Sequence, residues 1–524
     1  METGRRWFEE NKKWLYMALG FVFFWGLLAH AYCFFDNSVS HDSLNEFHAA
    51  VFGNDWKIQL GRVFTPIYRD LFRSDATLPW LIGALSLLWI GLAVFFVVRL
   101  FDMDSAVMVF LTAGVMATNV SVSSTAATYI NDLDGNMFAL MCAAAAVYCW
   151  KTLPWGEVLG AVLIMGSLGI YQGYLTVTIT LVMMVCILRL FRGDAFRTVF
   201  RKGLRAIGMI LAGGILYYIA MKAMTALSGN ALTTGDYNSL GKALELTPQN
   251  LVEYVAGAYR DWFSWLWNAY SSYPAVMVRG ITVLLAAAAV LAVGIWLLNR
   301  RIGLWEKLLG LTLMGLLPLG MNIFYVLTLD NNHDLMVFAI WLSYLLVLLL
   351  VQWLAAQWQG MPRREKLSRC IRIVCFLLVF LVAYGSVQFA NGMYLKKDLE
   401  FDAYLSLMTR IAARMESYEG YVPGETPVVF VGLPQMFNDM IPGFREYWNV
   451  IGMQFSDVIT QPSRPRFQAY FDYILSTPLL TAEPHVWAGM LGNQQVKQMP
   501  AYPDAGCLAM MDGVLIVKLG NAPV

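Results

Sequence analysis

Charged residues are scarce in this chain. They make up 14% of its 524 residues, whereas soluble globular proteins carry about a quarter. Hydrophobic residues account for 58%, and the mean hydropathy is +0.55. This composition disfavours a water-soluble enzyme, and most of the apolar surface is expected to face lipid.

Markers of several protein classes are also missing. The net charge is +1 and no basic stripe occurs, so nucleic acid is not an expected partner. The seven cysteines form no disulfide framework, because six lie in or beside apolar segments and Cys507 stands alone in a polar tail. The chain has no Walker A loop, Rossmann fingerprint, GxSxG elbow or HExxH helix. We therefore expect no cofactor and no metal.

What the sequence does contain is a series of long apolar segments. A transmembrane helix needs roughly 20 mainly apolar residues, and about eleven segments are candidates. They cover residues 14–35, 79–101, 105–120, 136–150, 155–170, 173–191, 204–226, 275–298, 305–328, 335–356 and 371–390. We predict an α-helical polytopic membrane protein, with a transmembrane domain over residues 1–390 and a further domain over residues 391–524.

The positions of lysine and arginine predict the orientation. They cluster in alternate loops, at Arg99, Lys151 and residues 192–202, 300–307 and 363–369. The positive-inside rule assigns these loops and the N-terminus to the cytoplasm, and an odd number of spans then puts the C-terminal residues outside. The long loops at 36–78, 121–135, 227–274 and 329–334 also fall outside. Because long loops commonly carry function, we expect this multi-pass protein of the cell membrane to act on its outer side.

Some basic residues depart from this rule. They fall in predicted outer loops and are Lys57, Arg62, Arg69, Arg73, Lys242 and Arg260. Cations kept on the unfavoured side suggest that a ligand for them exists there.

The residues after 390 have the pattern of a soluble domain. Residues 398–418 have the spacing of an amphipathic helix, and residues 427–431 that of a buried strand. Residues 507–511 and 514–519 flank Asp512-Gly513, a strong signal for a two-residue hairpin. We predict a small extracytoplasmic α/β domain.

The first outer loop, residues 36–78, holds the densest set of reactive side chains: Asp36, His41, Asp42, Glu46, His48, Asp55, Lys57, Arg62 and Arg69. It contains two helical patterns, one around residues 44–51 and one around residues 60–71. Such helices can lie in the membrane interface with their apolar side toward lipid. A carboxylate held there would face a reaction at the membrane surface.

Asp42 and Glu46 differ in the structural role that each could have. Ser43 and Glu46 have the spacing of a capping box, so Glu46 has a structural explanation beside a catalytic one. Asp42 precedes this cap and has no helical role. A solvated loop aspartate and a catalytic acid both stay open for it.

Two cations are candidates for binding an anion. Arg62 follows Gly61 at the second short helix, and its guanidinium suits phosphate because it donates two parallel hydrogen bonds. Lys222 lies near the outer end of its span. Either snorkelling or a phosphate at the outer leaflet would explain a lysine at that position.

Three other outer motifs are less specific. Tyr171-Gln172 lies in a tight turn, where placement in the aromatic belt explains the tyrosine alone. Asp132-Leu133-Asp134 forms a D-x-D triplet, a short pattern that often occurs by chance. Residues 330–334, with His333, combine aspartate and histidine without a repeated transition-metal spacing.

Taken in order along the chain, these features resemble one family. The residues that carry the resemblance in the first outer loop are His41-Asp42, Trp56 and Gly61-Arg62. They are similar to the pattern of the Gtr-type, serotype-converting glucosyltransferases, polytopic bacterial enzymes that modify surface polysaccharides. The Tyr171-Gln172 turn and the span with Tyr217, Tyr218 and Lys222 also look like family features. The chain has His41 where the family has the first acid of a pair, which leaves Asp42 as the matching acid.

The resemblance covers roughly residues 14–390 and implies a GT-C-like architecture. It implies that a glucose-like hexose passes from a polyprenyl-phosphate donor to a cell-surface polysaccharide on the outer side of the membrane. Asp42 would be the general base, with Glu46 as a second catalytic candidate, and attack opposite the departing phosphate would invert the anomeric centre. The residues expected to bind substrate are Arg62, Lys222, Trp56, Tyr171, Gln172, His41 and His333.

Other classes of function stay open. A polysaccharide polymerase or ligase would share the membrane setting and differ in using a lipid diphosphate donor. A transporter of lipid-linked glycans would bind near the bilayer midplane, often between inverted repeats, whereas polar residues here concentrate outside. A non-enzymatic scaffold would need no aligned acid and cations in the first outer loop.

Overall fold

The computed structural model shows a mainly helical protein with one small sheet. It describes residues 2–36, 39–40, 43–44, 54–232, 245–268, 271–330, 332–432 and 468–520. The chain forms two compact units. The first comprises Met1–Phe35, Asn54–Ala126 and Ile130–Asn391, and the second comprises Asp36–Gly53, Ala127–Tyr129 and Gly392–Val524.

The first unit is built from helices. Up to residue 170 they are α1 (Glu2–Phe35), α2 (Asn54–Gln59), α3 (Thr65–Phe72), α4 (Pro79–Leu100), α5 (Ala106–Thr118), α6 (Val120–Thr128), α7 (Ile130–Thr152) and α8 (Gly156–Ile170). After the 3-10 turn Gln172–Tyr174 they are α9 (Leu175–Phe191), α10 (Phe196–Ser228), α11 (Pro248–Trp267), α12 (Ala275–Leu298), α13 (Leu304–Met321), α14 (Ile323–Leu327), α15 (Phe338–Gln357) and α16 (Pro362–Glu416). A second 3-10 turn, Asp334–Met336, precedes α15.

The length and apolar character of these helices confirm a polytopic architecture. Within the described ranges, ten helical segments are long and apolar enough to cross a membrane, with α5 and α6 taken as one segment. The shorter apolar helix α8 adds an eleventh. The predicted count of about eleven spans is therefore confirmed.

One predicted outer loop is in fact helical. Residues 121–135 form most of α6 and the first turn of α7. The side-chain oxygen of Asn119 accepts hydrogen bonds from the backbone N–H groups of Ser121 and Val122, at 3.1 and 3.4 Å, and so caps α6. The hydroxyl of Thr125 donates to the Ser121 carbonyl at 2.6 Å. Serine- and threonine-rich sequence favours turns on its own; here Asn119 caps a helix, and the hydroxyl of Thr125 is satisfied within that helix.

The predicted span over residues 305–328 is interrupted. Helix α13 ends at Met321, Asn322 leaves helical geometry, and the short helix α14 follows. Pro318 lies within the last turn of α13, where it lacks a backbone donor. The interruption makes the side chain of Asn322 available for tertiary hydrogen bonds.

Helix α3 has its polar side inward. Thr65 and Arg69 are buried, whereas Ile67 is 50% exposed and Leu71 is 74% exposed. In a membrane protein, such an exposed apolar face suits the lipid interface. This agrees with the interfacial helix predicted around residues 60–71.

The second unit contains a mixed four-stranded sheet in the order β2–β1–β4–β3. The strands are β1 (Pro427–Val431), β2 (Leu480–Thr481), β3 (Leu508–Met511) and β4 (Val514–Lys518). Strand β1 is parallel to β2 and β4, and β3 and β4 form an antiparallel hairpin. Asp512 and Gly513 in its turn have φ values of 50° and 78°, as a type I′ turn requires. The predicted strand and hairpin are confirmed.

The helix predicted at residues 398–418 is not a separate element. It is the C-terminal part of α16, which continues without a break from the last apolar span. Met408, Ala412 and Met415 of its predicted apolar face are buried in the core of the second unit, together with strands β1 and β4. Two short helices complete this unit, α17 (Pro484–Gly492) and α18 (Gln494–Gln498).

Candidate active site

A cluster of charged side chains joins the segment of residues 54–73 to the first turn of α7. The segment contributes four cationic groups, Lys57, Arg62, Arg69 and Arg73, and α7 contributes the carboxylates of Asp132 and Asp134. We call this set the cationic cluster. All of its members except Lys57 line a narrow crevice, together with Thr65, Tyr68, Asn131, Gly135, Asn136 and Ile170.

Asp132 is the centre of the cationic cluster. Its Oδ2 accepts hydrogen bonds from Nζ of Lys57 and, at 3.4 Å, from Nη1 of Arg62. Its Oδ1 accepts from Nη2 of Arg69 at 2.9 Å. Because Asp132 lies in the first turn of α7, the dipole of that helix also favours its negative charge.

Arg73 is the one ionic partner of Asp134 among the described residues. Nε of Arg73 donates to its Oδ2 at 2.8 Å, and the backbone N–H of Gly135 donates to its Oδ1 at 3.0 Å. The other guanidinium nitrogens of Arg73 donate to the carbonyls of Asn131, Ser74 and Ala76. These bonds fix the chain between α3 and α4 against the start of α7.

The four cationic groups differ in how far they reach the surface. The exposed side-chain fraction is 0% for Arg73, 4% for Arg69, 11% for Lys57 and 18% for Arg62. Among the described residues, three guanidiniums, which always carry charge, and one lysine face two carboxylates, so positive charge exceeds the described negative charge. Burial lowers the pKa of the Lys57 ammonium, while the Asp132 carboxylate beside it opposes that fall. Arg62 is the most exposed of the four cations.

Arg62 lies in a turn between α2 and α3, not on the helix itself as the sequence suggested. Gly61 before it has a φ of 76°, a left-handed conformation that favours glycine. The carbonyl of Gly61 accepts from the Tyr217 hydroxyl at 3.0 Å, and that hydroxyl accepts from Nε2 of Gln172 at 3.0 Å. These contacts from α10 and the turn after α8 hold the backbone beside Arg62.

The same turn docks closely on the end of α8. The N–H of Phe64 donates to the carbonyl of Gly169 at 2.8 Å. A Cβ atom at position 169 would lie 2.2 Å from the Phe64 ring, so only glycine permits this approach. The position of Arg62 is therefore determined by α8 as well as by α10.

Tyr171 lies beneath Arg62. The guanidinium carbon is 4.9 Å from the centre of the phenol ring, within range of a cation–π interaction. Burial raises the pKa of Tyr171 to about 12, although the charge of Arg62 opposes this rise. The phenol is thus neutral and able to donate a hydrogen bond.

The other predicted site residues that the structure describes differ in their burial and in their contacts. Trp56 is half-buried on α2, and His333 is half-buried just before the 3-10 turn at Asp334. Lys222 is exposed, with its Nζ 5.7 Å from the centre of the Tyr218 ring. Helix α10, which carries Lys222, is tied to α2 because Asn230 bonds the side chains of Asp55 and Gln59. No contact between Lys222 and the cationic cluster is described.

His41, Asp42 and Glu46 lie outside the described residues. Their predicted roles stay predictions. Among the described residues, no group of three or more His, Cys, Asp or Glu side chains could hold a metal ion. The described cysteines are free thiols.

Most of the cationic cluster was not assigned from the sequence. The sequence marks Lys57, Arg69 and Arg73 as cations on the unfavoured side, with Lys57 and Arg69 also among the reactive side chains of the first outer loop, and Asp132 and Asp134 only as a short triplet. Ion pairing between these cations and these carboxylates was not predicted. A segment with four cations needs counter-ions, and two carboxylates near the start of an apolar helix need cations.

Comparison with known proteins gives the family. A family model described as glucosyl transferase GtrII matches residues 31–333. No curated protein and no solved structure matches the chain. The matched range covers more than half of the chain and includes the whole cationic cluster together with Tyr171, Lys222 and His333. With its polytopic helices and this match, the chain belongs to the GtrII glucosyl transferase family.

Proposed function

We propose that this protein is a GT-C-type membrane enzyme that transfers a glucose-like hexose from polyprenyl phosphate to a cell-surface polysaccharide. The reaction takes place on the outer side of the cell membrane, with the N-terminus in the cytoplasm and the C-terminal unit outside. Membership of a glucosyl transferase family supports sugar transfer. The observation that supports a phosphate-linked donor is the surplus of positive charge in the cationic cluster.

The surplus of positive charge in the cationic cluster stabilises the released polyprenyl phosphate more strongly than the phosphodiester of the donor. A polyprenyl-phosphate hexose is a phosphodiester with one negative charge, whereas the released polyprenyl phosphate carries between about 1.5 and 2 negative charges at neutral pH. Cations that face the phosphate therefore stabilise it more strongly as the glycosidic bond breaks. Binding that strengthens along the reaction coordinate lowers the barrier to the chemical step.

Within the cationic cluster, the roles divide by depth. Arg62 is the most exposed member and makes one long hydrogen bond to Asp132, so its remaining donors are available to a phosphate. Arg69 and Arg73 are almost fully buried against the two carboxylates and position the segment. We assign phosphate binding to Arg62, with Lys222 as the second cation.

The acceptor needs a base, because polyprenyl phosphate is already a good leaving group. Asp42 takes the proton from the acceptor hydroxyl, which attacks the anomeric carbon opposite the departing phosphate and inverts it. Glu46 is the second catalytic candidate in the same loop. His41, Trp56, Tyr171, Gln172 and His333 complete the substrate-binding set.

Asp42→Asn tests this assignment. Loss of a positioned general base reduces turnover by about 10²–10⁴-fold, while the protein should insert and fold normally. The measurement is transfer of radiolabelled hexose from polyprenyl-phosphate glucose to the polysaccharide acceptor by the purified full chain. A parallel incubation with a lipid diphosphate oligosaccharide separates this function from that of a polymerase or ligase.

Glu46→Gln is the matched control. Glutamine preserves the reciprocal hydrogen bond of a capping box, so normal activity would give Glu46 a structural role alone. Near wild-type turnover of Asp42→Asn would refute the general-base assignment. Turnover of the lipid diphosphate only would refute the proposed donor.

A further inference from the structure

A second carboxylate in the first unit is also fixed by three side chains. Asp261 on α11 is half-buried, and its Oδ2 accepts hydrogen bonds from Nδ2 of Asn322 at 2.9 Å and Nδ2 of Asn332 at 3.2 Å. Nε1 of Trp265 donates to the same oxygen at 3.1 Å. The two asparagines are themselves joined, since Nδ2 of Asn332 donates to Oδ1 of Asn322 at 2.8 Å. We call Asp261, Trp265, Asn322 and Asn332 the amide cluster.

The contacts leave the other carboxylate oxygen open. Among the described residues, none donates a hydrogen bond to Oδ1 of Asp261 or forms an ion pair with it. This oxygen is also not one of the buried polar atoms that lack a partner. Oδ1 is therefore accessible and held in a fixed direction by the bonds to Oδ2. Oδ1 of Asn332, within the amide cluster, and Nε1 of Trp262, the residue after Asp261 in the chain, are buried without a partner among the described residues.

The backbone that brings Asn332 to this position is strained. Leu329 and Asp330 have φ values of 53° and 65°, and two consecutive non-glycine residues in the left-handed region are unusual. Such strain persists where the surrounding structure imposes it, and it is frequent at functional sites. The interruption of α13 at Asn322 supplies the second amide. Three separate elements thus converge on one carboxylate oxygen.

The chemistry of the amide cluster favours a neutral polyol. All three described side-chain donors to Asp261 are uncharged, so among the described residues no cation is hydrogen-bonded to this carboxylate and none of these donors offers a charged partner to an anionic phosphate. An open carboxylate oxygen accepts a hydroxyl proton, an indole N–H donates, and an amide carbonyl accepts. A sugar unit presents hydroxyl groups that both donate and accept.

The loop that carries Asn332 also reaches the cationic cluster. Asp334, two residues further on, acts electrostatically on Tyr171, the residue beneath Arg62. The Asp334 carbonyl also accepts from the Ser121 hydroxyl at 2.6 Å at the start of α6. The amide cluster is therefore connected through one short loop to the proposed phosphate site.

We propose that the amide cluster binds a sugar unit of the acceptor glycan through the open oxygen of Asp261. This inference rests on the proposed function for the identity of the sugar as an acceptor. The donor and the acceptor would then bind at two sites of opposite charge. Asp261 would position the acceptor without taking part in proton transfer.

Asp261→Asn isolates the open oxygen. The amide oxygen of the new side chain can still accept from the three donors, and its NH₂ group then replaces Oδ1. Asp330→Asn is the matched control, because Asp330 is an exposed carboxylate of the same loop and asparagine tolerates its left-handed φ. Both variants lose one negative charge from the same region.

The first measurement is direct sugar binding. Methyl glycosides of glucose, galactose and rhamnose are titrated against the full chain in nanodiscs, with saturation-transfer NMR as the readout. We expect at least one of them to bind the wild type, with affinity reduced about ten- to a hundredfold in Asp261→Asn and unchanged in Asp330→Asn. Absence of binding to the wild type, or equal losses in both variants, would overturn the proposal.

The second measurement separates acceptor from donor. Asp261→Asn should bind radiolabelled polyprenyl-phosphate glucose as tightly as the wild type, and in a transfer assay it should raise the acceptor KM more than it lowers kcat. Loss of kcat at an unchanged acceptor KM, or loss of donor binding, would contradict acceptor binding. If Asp261→Asn fails to accumulate, Asp261→Glu carries the test, because it keeps the charge and displaces the oxygen by one methylene group. If the wild type binds sugars through Asp261 but never consumes the donor, the proposed function fails and the sugar site stands.

Discussion

Asp132 and Asp261 are both carboxylates held by three side-chain donors, but the donors are opposite in kind. Asp132 is held by Lys57, Arg62 and Arg69, all cationic groups. Asp261 is held by one indole and two amides, all neutral. The same number of hydrogen bonds thus gives one carboxylate whose described donors are all cations and another whose described donors carry no charge.

This difference shows that the charge of the donors, more than their geometry, decides what a fixed carboxylate can do. Paired with cations in excess, Asp132 becomes the counter-ion that keeps several positive groups together in a buried site. Without cations, Asp261 keeps its own capacity to accept hydrogen bonds. One region is suited to an anion and the other to hydroxyl groups.

The largest effect is expected when the counter-ion of the cationic cluster is removed. Asp132→Asn leaves Lys57, Arg62 and Arg69 facing one another without the charge between them, and breaking a buried ion pair in this way costs about 3–5 kcal/mol. Thermal unfolding of the detergent-solubilised protein measures the loss. Asp102→Asn is the control, because its contact with Lys151 is at the surface, where ion pairs contribute about 0–1 kcal/mol.

This prediction would sharpen the comparison between the two carboxylates. Asp261→Asn keeps an acceptor for its three donors and should leave the unfolding temperature close to that of the wild type. Equal destabilisation by the substitutions at 132 and 261 would show that the charge of the donors is not what separates the two regions.

Arg62 is expected to give the next largest effect. Arg62→Ala should weaken binding of polyprenyl-phosphate glucose by about 1.5–3 kcal/mol, the contribution of a hydrogen bond to a charged group. Arg62→Lys should recover part of the loss, because lysine restores the charge but cannot donate two parallel hydrogen bonds. Equilibrium binding of the labelled donor is the measurement. Unchanged affinity in Arg62→Ala would show that the donor phosphate does not bind at the cationic cluster.

Lys222 is expected to have the smallest effect. It is exposed and lies over the Tyr218 ring, so solvent screens its charge and Lys222→Ala should weaken donor binding by no more than about fivefold. Lys222→Gln retains most of the side-chain length and serves as the matched variant. A loss as large as that of Arg62→Ala would put both cations in one phosphate site, and no loss would favour snorkelling.

The parts of the fold that could be predicted from the sequence are those set by local pattern. The strand at residues 427–431 and the turn at Asp512-Gly513 depend on alternation and on backbone conformation, which a short stretch of sequence determines. The apolar spans depend on composition alone. The prediction of a loop at the hydroxyl-rich residues 121–128 was wrong, because Asn119 caps a helix there and the Thr125 hydroxyl finds its acceptor within that helix, which composition does not reveal.

The candidate site was predicted less completely, because it depends on pairs of residues far apart in the chain. Arg62 was identified from its position in an outer loop, but its partner Asp132 is 70 residues away. Asp261 had no local signal, since the donors that fix it come from the interruption after α13 and from a strained loop. Neither the interruption after α13 nor the strained loop has a sequence pattern from which residue propensities predict it.

Because the polar side of α3 faces inward, substitutions on its exposed apolar side should have different effects in a bilayer and in water. Ile67 and Leu71 are largely exposed, and in a water-soluble protein a mutational scan would find such positions tolerant of polar residues. In a bilayer the same scan should reject lysine or aspartate there and accept any bulky apolar residue. Exposure of a side chain on this helix therefore does not indicate tolerance of polar substitutions. Mutant libraries designed to improve solubility should keep Ile67 and Leu71 apolar.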